Sequence, residues 1–479
     1  MDVHQLSKNL KVAFMAQMIA LVQSCVVTLL LPKFIGLEGY SFWQLFIFYA
    51  AYVGFFHCGI NDGVYLKYSG LSFNEMNRDA VSGQFRVVVI IQMIFAVIIT
   101  IALFLSPMTY ERRIVMFFNV IYMAIFNTSM YMSYIFQAAN HTHWYSFSVI
   151  IDKLFFLLSL IILILLGIKD IYIYLSVFVS GSLLNLCYSL YKGRYFLKRP
   201  SLLYKDLWPE LRDSIKVGLT LMLSGIASLL IAGIDRFFID SHWGIIVFGK
   251  VSLALSLTAF VLVFIRQVSM VFSPALRCTS DAGKLYAYIN MFRFCFFLMP
   301  WTYLLMIPGK WLINLWLPNY AESVTYLAIL LPMCIFDTKM NLVFITYFKV
   351  LRREKEMMYV NYFVLVFSAV LGAISVYFFN SLVLTLISMV VIGAIRCFVS
   401  EWIVGKLMSV KTMSMSLYEL FFAAFYIFIS LYTENWIVLV CGLGLILMIQ
   451  NIVFKDSLKN LLLMTHCMIT SKTIQNERI

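Results

Sequence analysis

The stretch "VVVIIQMIFAVIITIALFL" at positions 87–105 is apolar on every face. An α-helix rises 1.5 Å per residue, so this run covers about 29 Å, the thickness of a bilayer's hydrocarbon core. A membrane β-strand would alternate apolar and polar residues over about ten positions. No such alternation is present. A β-barrel is excluded, and a membrane-spanning helix is predicted.

The rest of the chain has the same character. Of 479 residues, 62% are hydrophobic and 12% charged, and the mean hydropathy is +0.91. Soluble domains carry about 25% charged residues. The first apolar run, "VAFMAQMIALVQSCVVTLLL" (12–31), is too long for a signal-peptide core and ends at Pro32-Lys33 without a small-residue cleavage site. It is expected to be the first span. The nine cysteines lie mostly in or beside apolar runs, their number is odd, and no C-x-x-C occurs. That pattern argues against both a disulfide framework and a metal site. The net charge of +13 reads as Lys and Arg retained in cytoplasmic loops rather than as a nucleic-acid surface.

Apolar runs predict an all-α polytopic protein with about 14 spans, near 11–31, 41–60, 86–106, 114–137, 144–166, 171–191, 215–235, 244–266, 286–307, 323–348, 357–379, 381–404, 415–433 and 436–454. Basic loops alternate with loops lacking Lys and Arg. "YKGRYFLKRPSLLYKDLWPELR" (191–212) and "KVLRREKE" (349–356) fall on one side. "SHW" (241–243), "FNS" (379–381) and "TEN" (433–435) fall on the other. By the positive-inside rule the basic side, with both termini, is cytoplasmic.

The long polar interruption after the sixth span divides the first twelve evenly. The expected organisation is a six-helix lobe at 1–205, a second at 206–410, a further helix pair at 411–455 and a cytoplasmic tail at 456–479. An even number of spans per half implies a parallel repeat about an axis along the membrane normal. No Walker motif, Rossmann glycine pattern or H-E-x-x-H occurs, and no loop is large enough for a catalytic domain. An ATP-driven pump, a zinc protease and, more generally, an enzyme are therefore not expected. The His141/His143 pair reads as interfacial loop rather than catalytic.

"LLIAGIDRFFID" (229–240) ends an apolar run with opposite charges. Asp235 lies about 29 Å along a helix from Lys216, which predicts the outer boundary of the bilayer for Asp235 and Arg236. Two readings stand: a helix-end ion pair, with Arg236 and Asp240 at i,i+4, or the mouth of a polar cavity.

Residues 214–257, "SIKVGLTLMLSGIASLLIAGIDRFFIDSHWGIIVFGKVSLALSL", resemble the polysaccharide flippases of the multidrug/oligosaccharidyl-lipid/polysaccharide superfamily. The resemblance rests on Gly218, Asp235-Arg236, Gly249, Ser252 and Ala254, followed by "VFSPAL" (271–276) with Pro274. It extends to "LPKFIGLEGYSFWQLF" (31–46) with Gly36, Tyr40 and Gln44, to "GINDGV" (59–64), and to "INLWLPNYAESV" (313–324). The aromatic-rich, small-loop character is similar to the O-antigen (Wzx-type) flippases.

The resemblance implies two MATE-like six-helix lobes around a central cavity in a bacterial inner membrane. It further implies export of an undecaprenyl-diphosphate-linked oligosaccharide to the periplasmic leaflet, without a cofactor. H+ or Na+ as coupling ion, membrane lipids, and a polysaccharide polymerase with its chain-length regulator are the partners it suggests.

A diphosphate cannot cross hydrocarbon uncompensated, so its path needs cations, and intramembrane charges are functional candidates by default. Among the deep charges, the spans that face the cavity in relatives favour Lys153, Lys250, Arg266 and Lys339 as substrate-binding cations. Arg293 and Arg396 become structural. For each favoured cation the competing role is a local ion pair; Lys153, for instance, neutralises Asp152. Asp62, Asp152 and Asp337 are the ion-coupling candidates. Asp337 and Lys339 lie about 200° apart around a helix and face nearly opposite ways. Two alternatives remain. A cation-coupled drug exporter of the same superfamily would call for an acidic cavity. A lipid II flippase would have first-helix arginines where Gln17 and Gln23 stand here.

Overall fold

The computed structural model describes residues 3–197, 204–277, 279–433, 436–455 and 457. The expected tail at 456–479 lies outside them apart from Ser457. The described residues form helices and no strands: α1 Val3–Phe34, α2 Gly36–Ala50, α3 Ile60–Tyr68, α4 Arg78–Leu105, α5 Tyr110–Ala138, α6 Thr142–Leu165, α7 Ile171–Lys192, α8 Tyr204–Arg277, α9 Asp281–Leu298, α10 Met306–Trp316, α11 Ser323–Leu330, α12 Met333–Lys339, α13 Ile345–Val350, α14 Glu354–Ala373, α15 Leu382–Met408, α16 Met413–Tyr432 and α17 Trp436–Val453. Lipid offers no partner to a backbone amide, so helices that satisfy their own are the only open-ended spanning element.

Eleven of these helical stretches are long and apolar enough to cross a membrane, or twelve if the bent α2–α3 pair is one span. The 74-residue α8 would be about 111 Å long if straight, more than three bilayer cores. It breaks at Gly244, whose φ of 81° and ψ of 179° are outside the helical region. Only glycine takes that backbone conformation without a steric penalty. Two spans meet there, and with the shorter apolar α17 the described helices make up the fourteen expected.

Contacts divide the chain into two units, Met1–Leu230 with Trp243–Gly249, and Ile231–His242 with Lys250–Ile479. In the first, α4 is apolar outward and polar inward. Ile90, Met93, Ile94, Val97, Ile98 and Ile101 are exposed, while Gln84 and Gln92 are buried. That inversion suits a helix whose solvent is lipid.

The buried Gln92 repairs a break in the second span, where the chain bends by 60° between His57 and Ile60. Its Nε2 donates to the carbonyl of Phe56 at 2.9 Å, and Asn127 Nδ2 donates to the carbonyl of Val53 at 2.8 Å. Non-helical backbone at membrane depth persists only when its freed groups are bonded in this way. Just past the bend, the backbones of α3 and α8 touch. A Cβ on Gly63 would collide with the Ser214 carbonyl, and one on Gly218 with the Gly59 carbonyl. The glycines of "GINDGV" and Gly218 therefore belong to one contact.

In the second unit, α12, α15 and α16 pack around large buried aromatics. Tyr303 stacks on Tyr426 at 4.1 Å between centroids. The ninth span is not one helix: α9 passes through a tighter segment at Met299–Leu305, begun by Pro300, into α10. Lys339 ends α12, and a single wide π-type turn, Met340–Phe344, follows it. Such turns often mark functional positions.

Candidate functional site

The favoured cations fall into different surroundings. Lys153 stands on α6 beside Asp152, with Nζ 3.1 Å from Oδ2, and keeps part of its side chain accessible. The Ser182 hydroxyl reaches the other carboxylate oxygen at 3.5 Å, and the Lys153 ammonium lies 5.6 Å from the Phe178 ring centroid. Lys250 pairs with Glu322 at 2.8 Å. The Ser323 hydroxyl donates to the Lys250 carbonyl at 3.0 Å, which fixes the start of α11 against α8. Glu322 is 61% exposed, and the Lys250 ammonium beside it holds its carboxyl below the usual range. The side chain of Arg266 lies outside the described residues.

Lys339 differs from both. It is 0% exposed, and Nζ donates to Glu419 Oε2 at 2.6 Å and to Ser416 Oγ at 2.8 Å. The Phe292 ring centroid lies 3.9 Å below the ammonium. An ammonium so enclosed has no face left for a substrate in this conformation. The physical reason is α16, whose Glu419, a buried acid 80 positions along the chain, reaches the ammonium. Expected as a cavity cation, Lys339 is here an internal counter-ion.

Among the acids, Asp62 lies just past the bend of the second span. Its Oδ2 is 3.6 Å from His57 Nε2, and the Tyr134 side chain hydrogen-bonds it. Asp152 is held by Lys153. Asp337 points away from Lys339, as the helical spacing requires, and acts electrostatically on Arg396. The guanidinium of Arg396 donates to Asn361 Oδ1 at 2.9 Å.

Asp235 is 0% exposed and neither carboxyl oxygen has a hydrogen-bond partner. The backbone of Gly372 closes directly over it. Beyond Asp235 the helix continues for roughly nine residues, about 13 Å, before the break at Gly244. Arg236 donates to Ser252 Oγ at 2.8 Å, a bond that the i,i+4 spacing to Asp240 did not foreshadow.

Two acids were not among the sequence candidates: Glu401 and Glu419, both 2% exposed. The signal was present, since each is an acid inside an apolar span. Among the described residues no group of His, Cys, Asp and Glu has the arrangement of a metal site.

The arrangement offers partly accessible cations, each tied to a single acid, on an all-helical membrane scaffold. Such cations can be released toward an anion when their partners move. Solved structures share the fold. The lipid II flippase MurJ in an inward-closed conformation aligns with a TM-score of 0.58 at 14% identity, covering 94% of this chain and 99% of that one. A MATE-family multidrug transporter of the MOP superfamily, inward-facing, aligns at 0.51 with 13% identity, covering 89% and 99%. An outward-facing MATE transporter gives 0.50 at 15% identity, covering 85% and 94%. No curated protein matches by sequence. Residues 6–278, more than half the chain, match the family described as "Polysaccharide biosynthesis protein", and this multi-pass membrane protein, with the MurJ- and MATE-like fold, belongs to that family.

Proposed function

We propose that the protein is a flippase that carries an undecaprenyl-diphosphate-linked oligosaccharide, an O-antigen repeat unit or similar surface glycan, from the cytoplasmic to the periplasmic leaflet of a bacterial inner membrane. The observation that carries this reading is the polysaccharide-biosynthesis match over residues 6–278 on a transporter fold. Lys153 and Lys250, with Arg266, supply the positive charge that meets the diphosphate. The described conformation holds the first two against Asp152 and Glu322, and substrate entry replaces those partners. Lys339 leaves the set because it is enclosed. Asp62, Asp152 and Asp337 are the acids through which an H+ or Na+ gradient acts, and access alternates between the two leaflets.

Deletion of the gene tests the reading. Surface glycan should be lost while lipid-linked oligosaccharide accumulates in the cytoplasmic leaflet. An unchanged leaflet distribution would overturn it. The same strain separates the alternatives: arrested peptidoglycan synthesis marks a lipid II flippase, and lost drug tolerance marks a multidrug exporter.

A further inference from the structure

One face of α16 carries Ser416, Glu419 and Tyr426 at three- and seven-residue spacings, with Thr412 immediately before the helix, all buried. From α15, Glu401 reaches this face. Its Oε1 accepts from the Thr412 hydroxyl at 2.6 Å, and its other oxygen accepts from the Ser416 hydroxyl. Ser416 in turn accepts from Lys339, which also donates to Glu419. A continuous hydrogen-bonded chain thus joins two carboxyls through one hydroxyl and one ammonium. Glu419 has charged neighbours in Lys339 and Glu401 alone, among the described residues. The remaining titratable groups facing the chain are Tyr288 and Cys295 from α9, Tyr303 and Cys397. They are neutral hydroxyls and thiols. Arg396 and Asp337 face elsewhere, toward Asn361 and each other.

The charge count does not close. Two ionised carboxylates against one ammonium would enclose a net negative charge, and an uncompensated buried charge neutralises itself by binding a proton. The hydrogen-bond inventory says where. Both oxygens of Glu401 accept from hydroxyls, as an ionised carboxylate does. Glu419 accepts from Lys339 on Oε2, and its Oε1 has no partner. Of the four carboxyl oxygens it is the one on which a proton displaces no hydrogen bond.

We propose that Glu401 and Glu419 bind a single proton between them, resident on Glu419 in this conformation, at the seam where α16 meets α12 and α15. The way in lies at the α15–α16 turn. A cavity of about 730 Å3 is lined there by Glu401, Thr412, Lys406 and Lys411, so Glu401, itself 2% exposed, is the member of the pair nearest the surface. Loosening of α16 would separate Lys339 from its acids and release or admit the proton through Glu401. The site does not depend on what the protein carries.

The test uses the full-length chain in lipid nanodiscs and the infrared carbonyl band of protonated carboxylic acid, read at neutral pH. All variants carry Asp235→Asn, so that the enclosed carboxyl without a hydrogen bond contributes nothing. The difference spectrum against Glu419→Gln should contain one carboxyl's worth of band, and so should that against Glu401→Gln. In either variant the remaining acid pairs, ionised, with Lys339. Either variant alone suffices if the other fails to assemble, and Lys339→Met should raise the band to two carboxyls. A difference spectrum without the band, or with half of it, would overturn the shared proton.

Discussion

The carbonyl oxygen of Ser214 occupies the place where a side chain on Gly63 would begin. The relation is reciprocal one turn away, where Gly218 meets the carbonyl of Gly59. Neither neighbour can yield, because both are backbone. Gly63→Ala and Gly218→Ala should each cost about 1–3 kcal/mol, the usual range for overpacking a close contact. The cost should be visible as lower membrane abundance and a lower thermal midpoint in detergent. Gly225→Ala is the control, since a Cβ there meets only the Phe55 ring at 3.9 Å, and it should behave as wild type.

Lys339, fully enclosed, and Lys153, partly accessible, should fail in different ways. Lys339→Ala leaves the Glu401/Glu419 pair enclosed without its one ammonium, a change that costs about 3–5 kcal/mol in buried pairs, so protein abundance should fall. Lys153→Ala removes a partly accessible cation, so abundance should hold while surface glycan falls. The double variant Asp152→Asn/Lys153→Ala separates substrate contact from neutralisation of Asp152. Recovered glycan in the double variant would show that Lys153 served only its neighbour.

How far the sequence could be read follows from the range of each interaction. The spans were legible because lipid imposes its thickness on every apolar run, and the Gly244 break was legible as a short polar loop at 241–243. The mutual opposition of Asp337 and Lys339 followed from helical geometry alone. What Lys339 faces did not, because Glu419 lies 80 positions away and no local pattern encodes which helix supplies its partner. The same limit applies to Arg236. Asp240 was visible as its local i,i+4 neighbour, but Ser252, which accepts its bond from beyond the Gly244 turn, was not. "GINDGV" was legible as a motif, but its partner Ser214 was not.

Glu322 gives a pH dependence of known sign. Its carboxyl is held low by Lys250, so folding binds fewer protons there than unfolding does. The stabilisation is complete above the unfolded value, near 4.3, and disappears as pH falls through the lower folded value. With Glu322 61% exposed, screening keeps the contribution to about 1 kcal/mol or less. Wild type should lose thermal stability on acidification below that point slightly more steeply than Glu322→Gln. A steeper loss in the variant would contradict the pairing.

Orientation rests on loop charge and is checked by labelling. His242 and Asn380 hydrogen-bond at 2.8 Å, so the turns at 241–243 and 379–381 emerge at the same end of the second unit. In a cysteine-free background, Ser241→Cys and Asn380→Cys should react with an impermeant thiol reagent from outside the cell. Lys355→Cys should react only after permeabilisation. The reverse pattern would invert the proposed direction of transport.

Asp235 decides whether an enclosed acid is there for stability or for work. A carboxyl that held the fold together would be bonded, and its replacement would strand a partner. Here neither oxygen has a hydrogen bond, so Asp235→Asn strands nothing and nearly preserves the shape. Abundance should stay at the wild-type level, within about 0.5 kcal/mol of stability. Surface glycan should fall, because an acid that is costly to enclose and bonded to nothing is a functional candidate. Gly372→Ala supplies the contrast. Its added carbon would strike the Asp235 carboxyl and the Phe238 ring, so it should lower abundance by crowding, whatever the carboxyl does. Loss of abundance in Asp235→Asn, matched by an equal loss of glycan, would show instead that the carboxyl serves the fold.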